Sequence, residues 1–322
     1  MNVSFHTYKF TGRGTDVSIF KYAYYNEKIL GNKSFIISSK KSDKATIKKF
    51  KANFQVFLYD DELIHNPEKL KEIFEQFSIK NSIDVFYTTR GGENDNNLPS
   101  NVKTVVHCIF HMNEPHGNVY AGISEYLSNK YENKYPFVDY IVEMDLPEEK
   151  DDLRDTLSIP KNAIVLGRHG GYSEFNIKWV HSAIKIALFF RRNLWFVFMN
   201  TEKFINHKRA VFLPKSNNLE FKAKFVNTSD AMIHGRSMGE TFGLSVAEFS
   251  IRNKPIITYK GGVDSAHIYF LGEKALYYKS RKELIKILLF MKKRKLNQQN
   301  WDLYSERFSP DIVMEKFKKV FL

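Results

Sequence analysis

Cysteine is nearly absent from this sequence, which has only Cys108 in 322 residues. A single thiol cannot form an internal disulfide, so a disulfide-stabilised secreted domain is excluded and a reducing compartment is expected. No apolar run approaches the roughly 18 residues of a membrane-spanning helix, and the first residues lack the basic start and apolar stretch of a signal peptide. We therefore expect a cytoplasmic location.

Clusters of cysteine and histidine that could bind zinc are also sparse. His107 and His111 flank the cysteine in the pattern His-Cys-x-x-His, but no second cluster completes a structural zinc site. We therefore predict no metal.

Acidic residues are outnumbered, because 36 aspartates and glutamates stand against 49 lysines and arginines, for a net charge of +13. The densest basic stretch contains Lys40, Lys41, Lys44, Lys48, Lys49 and Lys51. A stretch of this kind is usually a solvated face, and the alternative is peripheral contact with an anionic membrane. No recognition helix, RNA-binding sheet or zinc-finger signature accompanies the charge, so we expect no nucleic-acid partner.

Strand-like and helix-like segments alternate along the whole chain. A polar stretch from Leu146 to Pro160 divides it, because proline removes a backbone donor and the charged residues there have little to bury. The pattern predicts an α/β protein with domains at 1–150 and 151–305, each a Rossmann-like, doubly wound parallel sheet. Ligands bind such sheets at the carboxyl ends of the strands, so we expect the site in a cleft between facing domains.

The second half has the clearer pattern. Leu194–Asn200 is very apolar, which predicts a strand buried on both faces. The other strands predicted there are Ala163–Gly167, Leu219–Phe225, Ala231–His234, Pro255–Tyr259 and Ala275–Tyr278. Helices are predicted at Asn176–Phe190, from Ser245 to Ile251, and at Lys282–Lys293 and Asp311–Val320.

The most informative segment runs from Gly239 to Phe249. Two carboxylates, Glu240 and Glu248, stand eight positions apart and flank a glycine-containing loop and a helix start. Glycines let the backbone approach a ligand closely, and free N–H groups at a helix start bind phosphate. The segment resembles the Glu-x7-Glu donor motif of retaining glycosyltransferases with the GT-B fold, especially family 4. Asn253–Ile257 and Val165–Arg168 resemble the flanking segments of the same family, so the resemblance covers most of the C-terminal half.

The resemblance implies a role for each matching residue. Glu248 binds the donor ribose, and Glu240 is catalytic, because it holds the transferred sugar and stabilises the charge that develops at its anomeric carbon. The family usually has a lysine about five residues after the arginine that Arg168 matches. That lysine is absent here, and Lys178 and Arg236 are candidate substitutes. The donor-binding residues implied are Arg168, for the diphosphate, and Gly239, Thr241, Phe242, Gly243, Leu244 and Glu248.

Candidates in the N-terminal half rest on their positions at strand ends. Gly12-Arg13-Gly14 follows the first strand and is predicted to contact donor phosphate or acceptor, with a simple tight turn as the alternative. In similar enzymes a histidine at the level of residues 107–116 contacts the transferred sugar; we choose His111 as catalytic and His107 next, on the acceptor side. A packed structural histidine is the alternative for each. Glu93 is a further acceptor-side candidate.

The function implied by the resemblance is transfer of a hexose from a nucleotide diphosphate sugar to an acceptor hydroxyl, with retention and without metal or other cofactor. The acceptor is expected to be a glycan or a lipid-linked molecule bound by the N-terminal domain. The resemblance also implies that a terminal helix, 306–322, crosses back to the first domain. The alternatives are a degenerate nucleotide-sugar binding module and a sugar-nucleotide epimerase.

Overall fold

Each half of the chain builds one six-stranded parallel sheet. A computed structural model describes residues 1–143, 151–216, 218–296 and 299–322. Two compact units divide these residues: Met1–Ile141 with Phe308–Leu322 form the first, and Val142–Arg307 form the second. The residues 144–150, where the sequence predicts the domain boundary, lie outside the described part.

The first unit has the strand order β3-β2-β1-β4-β5-β6. Its four inner strands, β2, β1, β4 and β5, are buried along nearly their whole length, because helices cover the sheet. The elements are β1 (Asn2–His6), α1 (Gly14–Lys28), β2 (Lys33–Ser39), α2 (Lys44–Lys51), β3 (Gln55–Tyr59), a 3-10 turn (Asp61–His65), α3 (Pro67–Lys80), β4 (Val85–Arg90), β5 (Lys103–Cys108), β6 (Val119–Gly122) and α4 (Glu125–Lys130).

The second unit repeats this plan with the order β14-β12-β10-β7-β8-β9 and adds the two-strand pair β11-β13. Its elements are β7 (Ile164–His169), α5 (Lys178–Phe190), β8 (Leu194–Met199), β9 (Ala210–Leu213), α6 (Leu219–Thr228), β10 (Ala231–His234), β11 (Gly239–Glu240), α7 (Leu244–Ser250), β12 (Ile256–Tyr259), β13 (Asp264–Ser265), α8 (Ala266–Leu271), β14 (Leu276–Tyr278), α9 (Arg281–Phe290) and α10 (Lys293–Leu296). The predicted fold class, two doubly wound parallel sheets, is therefore confirmed.

The last helix, α11 (Pro310–Phe321), packs into the first unit. Its buried face carries Phe317, whose ring lies 6.2 Å from the ring of Phe5 and 5.3 Å from that of Tyr22. Phe321 lies 5.6 Å from the ring of Tyr87. Aromatic pairs at these separations contribute both buried area and favourable ring geometry, so α11 completes the core of the first sheet.

One predicted strand is a helix. Leu219–Phe225 alternates apolar and polar residues, which suggested a strand, but it forms most of α6. Asn218 begins this helix, since its side chain accepts a hydrogen bond from the Phe221 N–H at 2.9 Å. Ala223 and Val226 are buried three residues apart, at the spacing of a helix face. Within the described residues, no helix is long and apolar enough to cross a bilayer.

Candidate functional site

The candidate site lies in the second unit, at the carboxyl ends of β7 and β10. These two strands are neighbours in the sheet although α5, β8, β9 and α6 separate them in sequence. The chain leaves them toward opposite sides of the sheet, which opens a crevice where doubly wound folds bind ligands. His169 ends β7 and His234 ends β10, so both side chains stand at this edge.

The loop after β10 requires glycine at two positions. Gly239 has φ +71°, and a Cβ atom there would lie 1.8 Å from the carbonyl oxygen of Asp264, because β11 and β13 pair at this point. Gly243 has φ +90° and begins α7 in the left-handed region. Both glycines therefore fix the path of the backbone between Glu240 and Glu248.

Glu240 is held by two basic side chains. Its Oε1 lies 3.1 Å from His234 Nε2, and its Oε2 accepts a 3.0 Å hydrogen bond from Arg236. Arg236 also donates to Glu174 Oε1 at 3.3 Å. Burial alone would raise the pKa of Glu240, but the His234 hydrogen bond and the nearby positive charge outweigh it and lower the pKa. Glu240 is therefore an ionised carboxylate at neutral pH.

A chain of buried hydrogen bonds orients His234, which contacts Glu240. Because an ionised carboxylate only accepts hydrogen bonds, His234 donates from Nε2. Its Nδ1 lies 2.9 Å from the Thr258 hydroxyl, which in turn lies 3.1 Å from His267 Nε2. Burial and the neighbouring His234 lower the pKa of His267 to about 3, so its ring is neutral. Thr258 and His267 therefore fix the ring orientation of His234.

Glu248 lies in a second, separate cluster. Lys222 of α6 contacts its Oε1, and His169 Nε2 lies 2.8 Å from its Oε2. The His169 ring stacks on Phe249 at 5.7 Å and 23° and meets Phe225 edge-on. Burial would raise the pKa of Glu248, but Lys222 and His169 hold it well below its usual range. A buried, ionised carboxylate thus stands at the end of β7.

Arg168 is almost fully buried, so its guanidinium is less accessible to a phosphate than that of an exposed arginine. Its guanidinium donates to the Thr201 hydroxyl at 2.7 Å and to the carbonyl of Gly171 at 3.0 Å. Burial lowers its pKa to about 10, against the attraction of Glu174 and Glu240. Arg168 therefore braces the loop after β7 and supplies positive charge from behind, while Arg236 is the more exposed guanidinium.

The predicted donor-binding residues Thr241, Phe242 and Leu244 differ in how far their side chains are buried. The Phe242 side chain is buried and packs against Phe270 at 5.5 Å and Tyr304 at 6.2 Å, so only its backbone is available to a ligand. Thr241 and Leu244 are half-buried on either side of the α7 start. The segment thus combines a packed aromatic anchor with two half-buried side chains.

In the first unit, Gly12 and Arg13 lie in the loop that leads into α1. The buried carboxylate of Asp16 accepts hydrogen bonds from the Thr11 N–H at 2.7 Å and from the Gly12 N–H at 2.5 Å. Gly12 has φ +69°, and Arg13 is exposed at the start of the helix. The Gly12 amide is therefore occupied within the loop, and the Arg13 side chain is the group presented to solvent.

His107 lies in the core and not at a ligand surface. Its Nδ1 lies 2.6 Å from the Tyr87 hydroxyl, and its Nε2 faces the carbonyls of Gly122 and Val138 at 3.1 and 2.9 Å. Phe321 packs against the ring at 5.1 Å. Both ring nitrogens are satisfied and the residue is fully buried, so the predicted acceptor-side role is replaced by the packed alternative.

His111 and Glu93, two residues predicted separately, form a pair. His111 Nε2 lies 2.9 Å from Glu93 Oε1, and this hydrogen bond lowers the pKa of Glu93. Gly92 permits the approach, because a Cβ atom there would lie 2.1 Å from the His111 carbonyl oxygen. Glu93 is exposed, so the pair lies at the surface beyond the ends of β4 and β5.

Four basic residues of the site were not among the predicted site residues: His169, Lys222, His234 and His267. His234 is the last residue of a predicted strand and His169 follows one by two residues, and those positions were the available signal. Lys222 was concealed by the strand prediction for its segment. His267 had no local signal, since it meets His234 and Thr258 only in the folded protein.

The fold of the chain matches known structures along its whole length. The Anabaena protein HepE in complex with UDP-glucose is 12% identical and has a TM-score of 0.78, covering 99% of this chain and 98% of HepE. A glycosyltransferase from Rickettsia africae is 12% identical with a TM-score of 0.72, covering 99% and 97%. WaaG, a glycosyltransferase involved in lipopolysaccharide biosynthesis, is 10% identical with a TM-score of 0.62, covering 99% and 95%. No protein-family model and no curated protein matches the sequence. The structures establish the GT-B fold.

Proposed function

We propose that this protein is a glycosyltransferase that moves a hexose from a nucleotide diphosphate sugar to an acceptor hydroxyl. One observation carries the proposal: two carboxylates, Glu240 and Glu248, are held ionised by buried basic partners at the crevice beside β7 and β10. Solved proteins of the same fold include glycosyltransferases and a complex with UDP-glucose. A buried carboxylate costs folding free energy, so two at one sheet edge favour a functional role.

We assign Glu248 to the donor ribose. An ionised carboxylate has about four lone-pair positions, so contacts with Lys222 and His169 leave acceptor capacity for ribose hydroxyls. The stacking of His169 on Phe249 keeps the pair in one orientation. A hydrogen-bond acceptor that is already in position lowers the entropy lost when the nucleotide binds.

We assign Glu240 to the transferred sugar. When the bond between the anomeric carbon and the diphosphate oxygen breaks, positive charge develops on the sugar ring, and an ionised carboxylate beside it lowers the barrier. In the proposed retaining route the acceptor oxygen bonds to the anomeric carbon on the face that the diphosphate leaves, and the acceptor proton passes to the departing diphosphate. Retention and the hexose are inferred from the family resemblance.

Arg236 and Arg168 are the proposed partners of the leaving diphosphate. Arg236 retains exposed surface while bridging Glu240 and Glu174, so a diphosphate can compete for its N–H groups. Arg168 contributes charge from the buried layer beneath. With this charge and the backbone at Gly243, we propose that the reaction requires no metal and no further cofactor.

On the first unit we assign the acceptor side to His111 and Glu93, and Arg13 is a further exposed cation. The proposed acceptor is a glycan or a lipid-linked molecule. His111 accepts or donates through the ring nitrogen that now faces Glu93 Oε1, so an acceptor hydroxyl would replace that contact.

A thermal-shift comparison tests donor binding. The purified chain is heated with UDP, GDP, ADP or CMP and the corresponding sugars, in EDTA. A ligand bound only to the folded protein at about 100 times its Kd stabilises it by about 2.7 kcal/mol. We expect a shift with one nucleotide, lost in Glu248→Gln and retained in Glu220→Gln, an exposed glutamate on the neighbouring α6. Absence of a shift with every nucleotide would overturn the proposal.

Turnover with the donor so identified tests the chemistry. Glu240→Gln keeps the shape of the side chain and removes its charge, so we expect the nucleotide shift to remain and turnover to fall about 100-fold or more. Product analysis by nuclear magnetic resonance reads the anomeric configuration. A donor converted to an isomeric sugar without any acceptor would favour an epimerase, and binding without any turnover would favour a binding module.

A further inference from the structure

Three exposed phenylalanines lie at the ends of two helices of the second unit that Arg191 links. Phe189 and Phe190 close α5 and are 80% and 68% exposed, and Phe290 closes α9 and is 72% exposed. The rings of Phe189 and Phe190 meet edge-on at 4.9 Å. We call these three residues the phenylalanine patch. Single exposed apolar residues are common on protein surfaces, but an adjacent group marks an interaction site.

Arg191 joins the two helix ends. Its guanidinium donates to the carbonyl of Leu288, two residues before Phe290, at 2.7 Å and to that of Met291, directly after Phe290, at 2.6 Å. Leu288 belongs to the buried core beneath. The helix ends are therefore fixed from inside, and the phenylalanine side chains project from a rigid base.

The surroundings of the patch are strongly basic. Arg192, Lys292, Arg294 and Lys295 are exposed beside it in sequence. The sequence has no acidic residue between Glu174 and Glu202, which includes α5, and none between Glu283 and Asp302, which includes the end of α9. Exposed aromatic side chains are thus bordered by cations, with no acidic residue in either segment.

We propose that the phenylalanine patch and its basic border bind the surface of an anionic lipid bilayer. Phenylalanine enters the boundary between headgroups and acyl chains, and lysine and arginine are attracted to anionic headgroups. A second copy of the chain fits less well, because a two-fold contact through this patch would bring its cations against the same cations. This surface is separate from the Lys40–Lys51 stretch, which the sequence analysis considered for membrane contact.

Vesicle co-sedimentation of the full chain tests this proposal. We expect binding to phosphatidylcholine vesicles that contain phosphatidylglycerol, little binding to phosphatidylcholine alone, and weaker binding as salt rises. Phe189→Ser, Phe190→Ser and Phe290→Ser together should weaken binding by about tenfold or more, because the apolar contribution is lost while the net charge is unchanged. These side chains are exposed and distant in sequence from the donor residues, so thermal stability and any nucleotide shift should match the parent.

Two triple variants with the same change in net charge distinguish vesicle binding at the phenylalanine patch from general electrostatic attraction of the protein to the vesicle. Arg192→Glu, Lys292→Glu and Lys295→Glu change the net charge as much as Lys44→Glu, Lys48→Glu and Lys51→Glu in the first unit. We expect only the first set to lose vesicle binding. Equal loss in both sets, or unchanged binding of the phenylalanine variant, would overturn the proposal. A patch-dependent dimer, or binding of an oligonucleotide in place of anionic vesicles, would overturn it in favour of those partners.

Discussion

Removing Lys222 should expose how strongly the buried ion cluster of Glu248 is coupled. The side chains of Lys222 and Glu248 are 19% and 11% exposed, so the pair is screened far less than a surface ion pair. Removing one partner of a buried pair costs about 3–5 kcal/mol, because the other charge stays buried and unpaired. His169 still contacts Glu248 in Lys222→Met, so we expect a smaller loss than this, about 2–3 kcal/mol of unfolding free energy.

Removing the charge of Glu248 instead should lower the unfolding free energy by a similar amount, and the losses of the two single variants should not add in the double variant. Glu248→Gln leaves the Lys222 ammonium without its carboxylate. Lys222→Met combined with Glu248→Gln removes both charges, and exchange of a buried pair for uncharged groups is often close to neutral. We therefore expect a coupling free energy of at least about 2 kcal/mol in the double-mutant cycle.

Urea unfolding at neutral pH measures this cycle. Because the chain has two compact units, the relevant transition is the one that Glu248→Gln displaces. Lys222→Met keeps the carboxylate and should keep the nucleotide shift, whereas Glu248→Gln should lose it. If the two single costs add to within about 0.5 kcal/mol, Lys222 and Glu248 act independently and the proposed charge cluster is refuted.

Three further changes test the packing. Gly239→Ala should unfold the loop after β10 or abolish nucleotide binding, whereas Gly31→Ala, also at positive φ but with open space around it, should cost only about 1–2 kcal/mol in urea unfolding. Phe317→Ala should destabilise the first unit by about 3–5 kcal/mol, while the exposed Ile312→Ala on the same helix should be nearly neutral by calorimetry. Burial lowers the pKa of His107 to about 4, so the folded state stays neutral while the unfolded state gains a proton below about pH 6.5. Stability should therefore fall by about 2 kcal/mol between pH 6.5 and pH 5 from this residue, and His107→Gln should show a flatter pH profile in urea unfolding.

The sequence predicted the sheets well because their signal is local. The run Leu194–Asn200, apolar up to its last residue, fits a strand covered on both sides, and its first six residues form β8. Short strands were missed, since Val119–Gly122 and Ala210–Leu213 offer four residues each and no clear period. The order of strands in each sheet is a property of the whole fold, and no local pattern contains it.

The candidate site was less accessible to prediction because its residues meet only after folding. Reading 219–225 as a strand concealed Lys222, which reaches Glu248 from α6. His107 and His111 look alike in sequence, but the first lies within β5 under α11 and the second follows the strand end. Which of the two is buried depends on a helix about 200 residues later, and local sequence carries no information on it.

The packing of α11 has a consequence for biosynthesis. The core around Phe5, Tyr22 and Tyr87 lacks its cover until Phe317 and Phe321 have been made, and the whole of residues 142–307 is translated in between. At about 5–20 residues per second this interval lasts roughly 8–30 s. During that time the nascent first unit exposes an aromatic surface that a ribosome-associated chaperone can recognise. The second unit, by contrast, is continuous in sequence and can fold as soon as it emerges, so the unit that starts first finishes last.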